Sequence, residues 1–523
     1  MATGEIIVVP FHSPGHIFPA TDLSNRLASR NYHVTLLLPS SSSSSSSSAS
    51  LLHPLIQIIH DSAPPPPPPN PPSIPFPHSS VAPPFPPPNH DDSIAPPPPL
   101  PICPPIPFPH SSIPPPPPNH DDSHFRTFLS DRINGRDPSS PPLLCVILDV
   151  MMSHLLTTCR HLDVPAVSFF TASACSTALD HATSSYSAAD LGLSGSVNIP
   201  GLPPEMYPTA AADVTILTHL GPPMPTPFGP AQRIPPSGSG PPMPPQRGIG
   251  ETDGAIALLF NTCEDLERPF LEYIAKEAKK PVWGVGPLLP ARLDDAARAR
   301  RESTHDERAV LAWLDSKPAR SVLYVSFGSL VSPSDAELAE LAAALADSSR
   351  PFIWAVQPSA LRHDSAGFPV HRTGSGSECE SESAFIDELA KRAGERGLVI
   401  RGWAPQLLIL SHYSTGGFLT HCGWNSAVES LRCGVPMLTW PIHGDQVHNA
   451  RLVTRQLGAG RAIGSARGGV TRNDVARGIE QLMQDKEARE QAAAVARDVF
   501  GGGFPASSSA SVDAFVGFID ATK

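Results

Sequence analysis

Short β-branched runs alternate with amphipathic helical stretches at both ends of the chain. This alternation constrains the fold more than any other feature. Ile6 to Val9 is a short apolar run of strand character. A Gly- and Pro-bearing loop, Phe11 to Phe18, follows. Pro19 then opens a helix that carries Leu23 and Leu27 on one face, and His33 to Leu38 is the next strand. Strand, helix, strand at this spacing is a βαβ unit, so the fold class is α/β, with parallel sheet covered by helices. Later runs read the same way: Leu143 to Leu148 ending at Asp149, Val164 to Phe170, and Gly254 to Phe260. In the second half, Ser321 to Ser326, Phe352 to Val356, Leu398 to Arg401, Phe418 to Thr420 and Met437 to Trp440 are strands. Ser334 and Glu337 make a capping box before an Ala/Leu helix. Asn425 to Cys433 is a helix stopped by Gly434, and another helix begins near Asp445.

A chain of 523 residues exceeds one ordinary core and implies two domains. Its 66 prolines are concentrated where the alternation breaks. Ser40 to Ser48 is a serine run, and Pro64 to Pro118 is dominated by proline. Ile74 to Ser80 recurs there as Ile106 to Ser112, and Asn89 to Ser93 as Asn119 to Ser123. Two units with so few large apolar residues cannot stack into a core, so the region reads as an expanded loop with polyproline character. The division is therefore 1–289 for a first domain, with a Pro-rich loop at about 62–123 and a Pro/Gly-rich loop at about 221–248. A polar linker spans 290–308, a second domain 309–500, and a C-terminal helix 501–523 packs its apolar face, Val512 to Ile519, back on the first domain. Pro358 to Ser383 reads as a polar loop.

The net charge of -12 argues against nucleic acid as a partner. The eight cysteines are scattered without a C-x-x-C pair, which suits reduced thiols in the cytoplasm. Met1 to Pro10 reads as a first strand and not a leader, and no run of about 18 apolar residues exists for a membrane span.

Chemistry is densest between Trp403 and Gln446. Trp403 stands straight after a strand, looking exposed. His421-Cys-Gly-Trp-Asn-Ser426 lies between a strand and a helix, and Asp445-Gln446 opens another helix. In an open parallel sheet the ligand crevice lies at the carboxyl ends of strands, where these clusters fall. A helix N-terminus there suits phosphate, with Gly423 allowing close approach. Taken singly, Trp403 reads equally as core, Glu429 as a solvated helix face and Asp445 as an N-cap.

Together these 44 residues resemble the donor-binding signature of plant family 1 UDP-dependent glycosyltransferases, the secondary-product glycosyltransferases. The LYVSFGS segment ending at Ser329 and the Pro14-Gly15-His16 element extend the likeness across the chain, outside the Pro-rich inserts. The resemblance implies a GT-B fold, two Rossmann-like domains facing each other across a cleft. It implies that Trp403 stacks on uracil and Ala404 meets it through backbone. Gln406 and Glu429 would hold the ribose. His421, Trp424, Asn425, Ser426 and Ser329 would surround the diphosphate. Asp445 and Gln446 would bond the sugar, with glucose favoured by the glutamine. Thr171 aligns with a residue that touches the transferred sugar.

In the first half, His16 follows Gly15 in the loop after the first strand. Its ordinary pKa near 6.5 suits a base near neutrality. If their strands are neighbours, Asp149 can orient it and stabilise the imidazolium; otherwise Asp149 is a strand-end cap. The family uses a His/Asp dyad of this kind. His12 and His16 have the separation of some metal sites, yet the Gly and Pro between them argue against a shared helical face. His12 is then a neighbour shaping the pocket, and His443 and His448 are loop and helix residues.

The expectation is an inverting transferase that moves glucose from UDP-glucose to a hydroxyl of a small phenolic such as a flavonoid, giving a β-glucoside. It would need no metal and no other cofactor and would act as a monomer. Attack by an aromatic carbon, giving a C-glycoside, uses the same base. A non-catalytic nucleotide-sugar-binding protein with a Pro-rich docking loop is the alternative of another class. A nicotinamide oxidoreductase is disfavoured because the βαβ units lack G-x-G-x-x-G.

Overall fold

A computed structural model describes residues 3–39, 52–61, 122–135, 141–184, 201–206, 248–290, 306–329, 331–357, 361–362, 377–464, 469–501 and 503–522. The serine run, the duplicated Pro-rich region, the second Pro/Gly-rich segment and most of the linker lie outside the described residues.

Two parallel sheets organise the rest. The first contains β1 (Glu5–Val9), β2 (His33–Pro39), β3 (Ile56–Asp61), β4 (Leu143–Asp149), β5 (Ala166–Phe170), β6 (Ala257–Phe260) and β7 (Val282–Gly284), in the order β3-β2-β1-β4-β5-β6-β7. The second is built from β8 (Val322–Ser326), β10 (Phe352–Val356), β12 (Gly397–Arg401), β13 (Thr415–Thr420), β14 (Met437–Thr439) and β15 (Gly460–Ala462). Its order is β12-β10-β8-β13-β14-β15. A small ladder pairs β9 (Val331–Ser332) with β11 (Leu361–Arg362). Every residue of β1 is buried because helices cover both faces. Ile6 and Val8 point into one core layer with Leu23 and Phe515, and Ile7 and Val9 into the other.

In both sheets the strand order reverses beside a central strand. β1 lies between β2 and β4, and β8 between β10 and β13. These are topological switch points, where connections leave in opposite directions and open a crevice at the carboxyl ends of the strands.

Several boundaries differ from the sequence reading. The first helix spans Pro14–Ala28, so Pro19 lies inside it and His16 is in its first turn, not in a loop. Pro14 takes N1, where a missing N–H costs nothing. The segment read as a polar loop to Ser383 becomes helical at Ser377, in the helix Ser377–Ala393. Its apolar stripe, Ile386, Leu389 and Ala393, starts too late to mark the first turns. β3 and the helix Ser123–Asn134 were not anticipated beside the Pro-rich region. The capping box on the helix Asp335–Asp347 is present, and Gly434 ends the helix Trp424–Cys433 at φ +67°.

The C-terminal helix, Ala506–Ala521, packs on the first sheet. Val512, Phe515 and Ile519 are buried there, with the Phe515 and Phe518 rings 5.7 and 5.4 Å from that of Trp283. Tyr32 donates a hydrogen bond to Asp520 at 2.7 Å. Removing a fully buried aromatic leaves a cavity as well as lost transfer energy. Phe515→Ala should therefore destabilise the protein by about 3 kcal/mol, read as a lowered urea midpoint.

Candidate active site

The two switch points share one crevice. β1 and β4 run side by side, Val9 opposite Leu148, so the first turn after β1 meets the end of β4. His16 Nδ1 lies 2.7 Å from Asp149 Oδ2. An ionised carboxylate only accepts, so Nδ1 carries the proton and donates it. Thr171, just past β5, places Oγ1 2.9 Å from the same nitrogen. Nε2 is then the nitrogen free to take a proton. Asp149 also caps the turn that follows it, because its Oδ1 accepts the Met151 N–H at 2.9 Å. The orienting and capping readings of Asp149 both hold, on different oxygens.

Burial acts to lower the His16 pKa. The charge and hydrogen bond of Asp149, with Asp445 beyond, outweigh it and raise the pKa above the usual 6.5. His12 is exposed, its ring tilted against that of Phe11 with centroids 3.9 Å apart, and the Phe11 ring meets His16 edge-on. It stands before the helix, outside the residues that line the crevice, and adjoins the site through Phe11. Among the described residues, no group of three His, Cys, Asp or Glu side chains is placed to hold a metal ion.

Across the crevice, β8 and β13 are paired, Ser326 opposite Thr420. Beyond Thr420, Cys422 adopts φ +63°, and the chain turns into the helix at Trp424 with Gly423 as N-cap. His421 is buried among glycines. A Cβ on Gly328 would stand 2.6 Å from its Nε2, and one on Gly423 2.5 Å. Burial pushes its pKa down to about 4, so the imidazole is neutral near pH 7. Among the described residues, the buried His421 Nδ1, Asn425 Oδ1 and Ser13 Oγ have no hydrogen-bond partner. All three residues line the crevice. Unsatisfied polar atoms around a helix N-terminus suit a polar, anionic guest.

Trp403 is half-buried, not exposed, and the Phe18 ring meets it edge-on at 6.4 Å. Ala404 is buried beside it. Gln406 donates to Glu429 at 2.8 Å and to Ser426 at 3.1 Å, and accepts from the Tyr324 hydroxyl at 3.2 Å. Ser329 lines the same wall. At the far end, Gln446 Oε1 accepts the N–H groups of Ile442 and His443, both at 2.9 Å, which leaves its amide hydrogens for a ligand. Burial raises the Asp445 pKa against the opposing hydrogen bond from Asn449. The crevice holds about 490 Å³.

The two halves are stitched together beside the site. Asn425 Nδ2 donates to the Gly15 carbonyl at 3.0 Å. Pro19 has no N–H to offer that carbonyl, its i−4 partner, so the first helix leaves it for the other half of the chain. Trp424 Nε1 donates to the Asn261 carbonyl at 2.7 Å. His448 Nε2 lies 3.0 Å from Asp180, and Ser173 donates to Asn449 at 2.6 Å. Sequence reasoning missed Ser173, Tyr324 and Asn449. Tyr324 sits in a buried strand pattern and reads as core, and Asn449 carried no signal beyond its place after Asp445.

Residues 286–497 match the family described as UDP-glucoronosyl and UDP-glucosyl transferase. A scopoletin glucosyltransferase from Nicotiana tabacum is 37% identical over 249 residues, which are 46% of this chain and 48% of that protein. The match over 286–497 and these relatives support a plant family 1 UDP-glycosyltransferase. It spans about half the length of the curated relatives it matches. The fold is GT-B. Glycyrrhiza uralensis UGT73P12, complexed with glycyrrhetinic acid 3-O-monoglucuronide, superposes with a TM-score of 0.70 at 22% identity, covering 99% of this chain and 96% of that one. TcCGT1 in complex with UDP gives 0.68 at 22% identity, covering all of both chains.

The dyad geometry makes a direct prediction. In an NMR titration the His16 imidazole should titrate above the ordinary 6.5, and Asp149→Asn should move it down by removing the charge that favours the imidazolium.

Proposed function

We propose that the protein is an inverting UDP-sugar-dependent glycosyltransferase that moves glucose from UDP-glucose to a hydroxyl of a small phenolic, giving a β-glucoside. One observation carries the reading. A His16–Asp149 pair with a free Nε2 and the Trp403 to Gln446 segment line one crevice. A tobacco relative named as a scopoletin glucosyltransferase supports a small phenolic acceptor.

In this mechanism Trp403 carries the uracil face, and Gln406 and Glu429 take the ribose hydroxyls. The diphosphate lies against the N-terminus of the Trp424–Cys433 helix, beside His421, Asn425, Ser426 and Ser329. His421 is neutral, so it offers a hydrogen bond rather than a charge. Asp445 and Gln446 hold the sugar, with Thr171 at its edge. His16 Nε2 takes the acceptor proton as the acceptor oxygen attacks the anomeric carbon, and the bond from that carbon to the diphosphate oxygen breaks on the opposite face. The configuration inverts, and UDP leaves with its charge met by backbone N–H groups. Asp149 stabilises the imidazolium formed. We assign no metal to this step, and one chain contributes both walls of the crevice, so a monomer suffices. The scattered thiols suit the cytoplasm.

Incubation with UDP-glucose and a phenolic panel, followed by UDP release and product mass, tests the reading. His16→Ala should lower kcat by about 10²–10⁴-fold. Glu429→Ala should raise the KM for UDP-glucose about tenfold with kcat little changed. Because Nε2 must be unprotonated, kcat/KM should rise with pH through an acid limb above 6.5. Turnover that survives His16→Ala would remove the base from the mechanism. A product resistant to acid hydrolysis would replace the O-glucoside with a C-glycoside.

A further inference from the structure

Asn449 is wholly buried, and every polar atom of its side chain is engaged. Nδ2 donates to Asp445 Oδ2 at 2.8 Å and to the Cys422 carbonyl at 2.9 Å, and Oδ1 accepts from Ser173 Oγ at 2.6 Å. Two acceptors on one side fix which end of the amide is nitrogen. Among the described residues, this N–H is the one hydrogen bond on the Asp445 carboxylate, which caps its own helix without using its side chain. A second contact ties the strained Cys422 turn, which delivers His421, to the same amide.

The Ser173 end is equally fixed. Ser173 Oγ accepts the Ser176 N–H at 3.0 Å. The buried Glu267 carboxylate accepts the N–H groups of Ala174 and Cys175 at 3.1 and 2.7 Å. Asn449 is thus a strut between a rigid helix start in the first half and a carboxylate in the second.

From this we infer that Asn449 is the positioning residue for Asp445, holding its carboxylate toward the donor sugar and registering it against the acceptor-side wall through Ser173. The inference rests on the reading of Asp445 as a sugar contact. A carboxylate with one fixed hydrogen bond loses its orientation when that bond goes. UDP itself, which lacks the sugar, does not report on it.

Calorimetry of the full chain with UDP and with UDP-glucose separates the cases. Asn449→Ala should weaken UDP-glucose about tenfold more than UDP, the loss expected for one charge-assisted hydrogen bond, since UDP feels the variant only through the Cys422 turn. The double variant Asp445→Ala/Asn449→Ala should prefer UDP-glucose over UDP no less than Asp445→Ala alone, because the strut acts on the sugar through the carboxylate. Asn449→Asp gives a second readout that a merely structural role would not move. Its two facing carboxylates repel when both are ionised, and one protonated oxygen restores the donor. The preference for UDP-glucose over UDP should therefore return as the pH falls, while the wild type shows no such recovery.

Equal weakening of UDP and UDP-glucose, additive losses in the double variant, or no recovery in a folded Asn449→Asp would overturn the inference and leave the sugar role of Asp445 standing. An Asp445→Ala variant that binds UDP-glucose like the wild type would remove that role first, and the inference with it.

Discussion

Parallel pairing at two places, β1 with β4 and β8 with β13, is the constraint on which the rest depends. A parallel neighbour brings the ends of two strands level, so side chains far apart in sequence meet at one edge. Val9 opposite Leu148 delivers His16 to Asp149 across 133 residues of separation. Ser326 opposite Thr420 delivers the Gly328 turn to His421. Each follows from strand order reversing beside a central strand, and the helices that start there present free N–H groups to the same crevice.

The crevice treats two histidines in opposite ways. His421 is enclosed by glycines and buried backbone, with no carboxylate against it among the described residues, and it stays neutral. His16 is half-buried, which also disfavours its charge, yet a carboxylate at 2.7 Å reverses the outcome. Burial alone does not decide the charge of an imidazole; the nearest counter-charge does. The result is a neutral hydrogen-bonding group on one wall and a proton acceptor on the other, from one residue type.

Much of this was legible in the sequence because it is local. Strand runs such as Phe352 to Val356, the Ser334–Glu337 capping box and the Gly434 stop each report a nearby backbone preference. The segment from Trp403 to Gln446 was legible as a block, since its spacing fixes three strand-to-helix junctions at once. What escaped is non-local or hidden by composition. Pro19 looked like a helix start because proline favours first turns, but Pro14 already occupied that place. Ser377 to Ser383 looked like loop because that run is almost all Ser and Glu, and the apolar stripe starts only at Ile386. Asn449 and Ser173 are ordinary polar residues whose meeting depends on how the two halves close, which no periodicity encodes.

Pro19 has a consequence for motion. It strips a carbonyl from the first helix, and that carbonyl receives Asn425 from the opposite wall. The acceptor was never part of the helical ladder, so releasing Asn425 leaves the helix as it was. Water can take the vacated place on either side. Such an exchange costs only about 1 kcal/mol net. This one contact is therefore a reversible latch, while the bonds from Trp424, His448 and Ser173 across the same seam keep the walls in register.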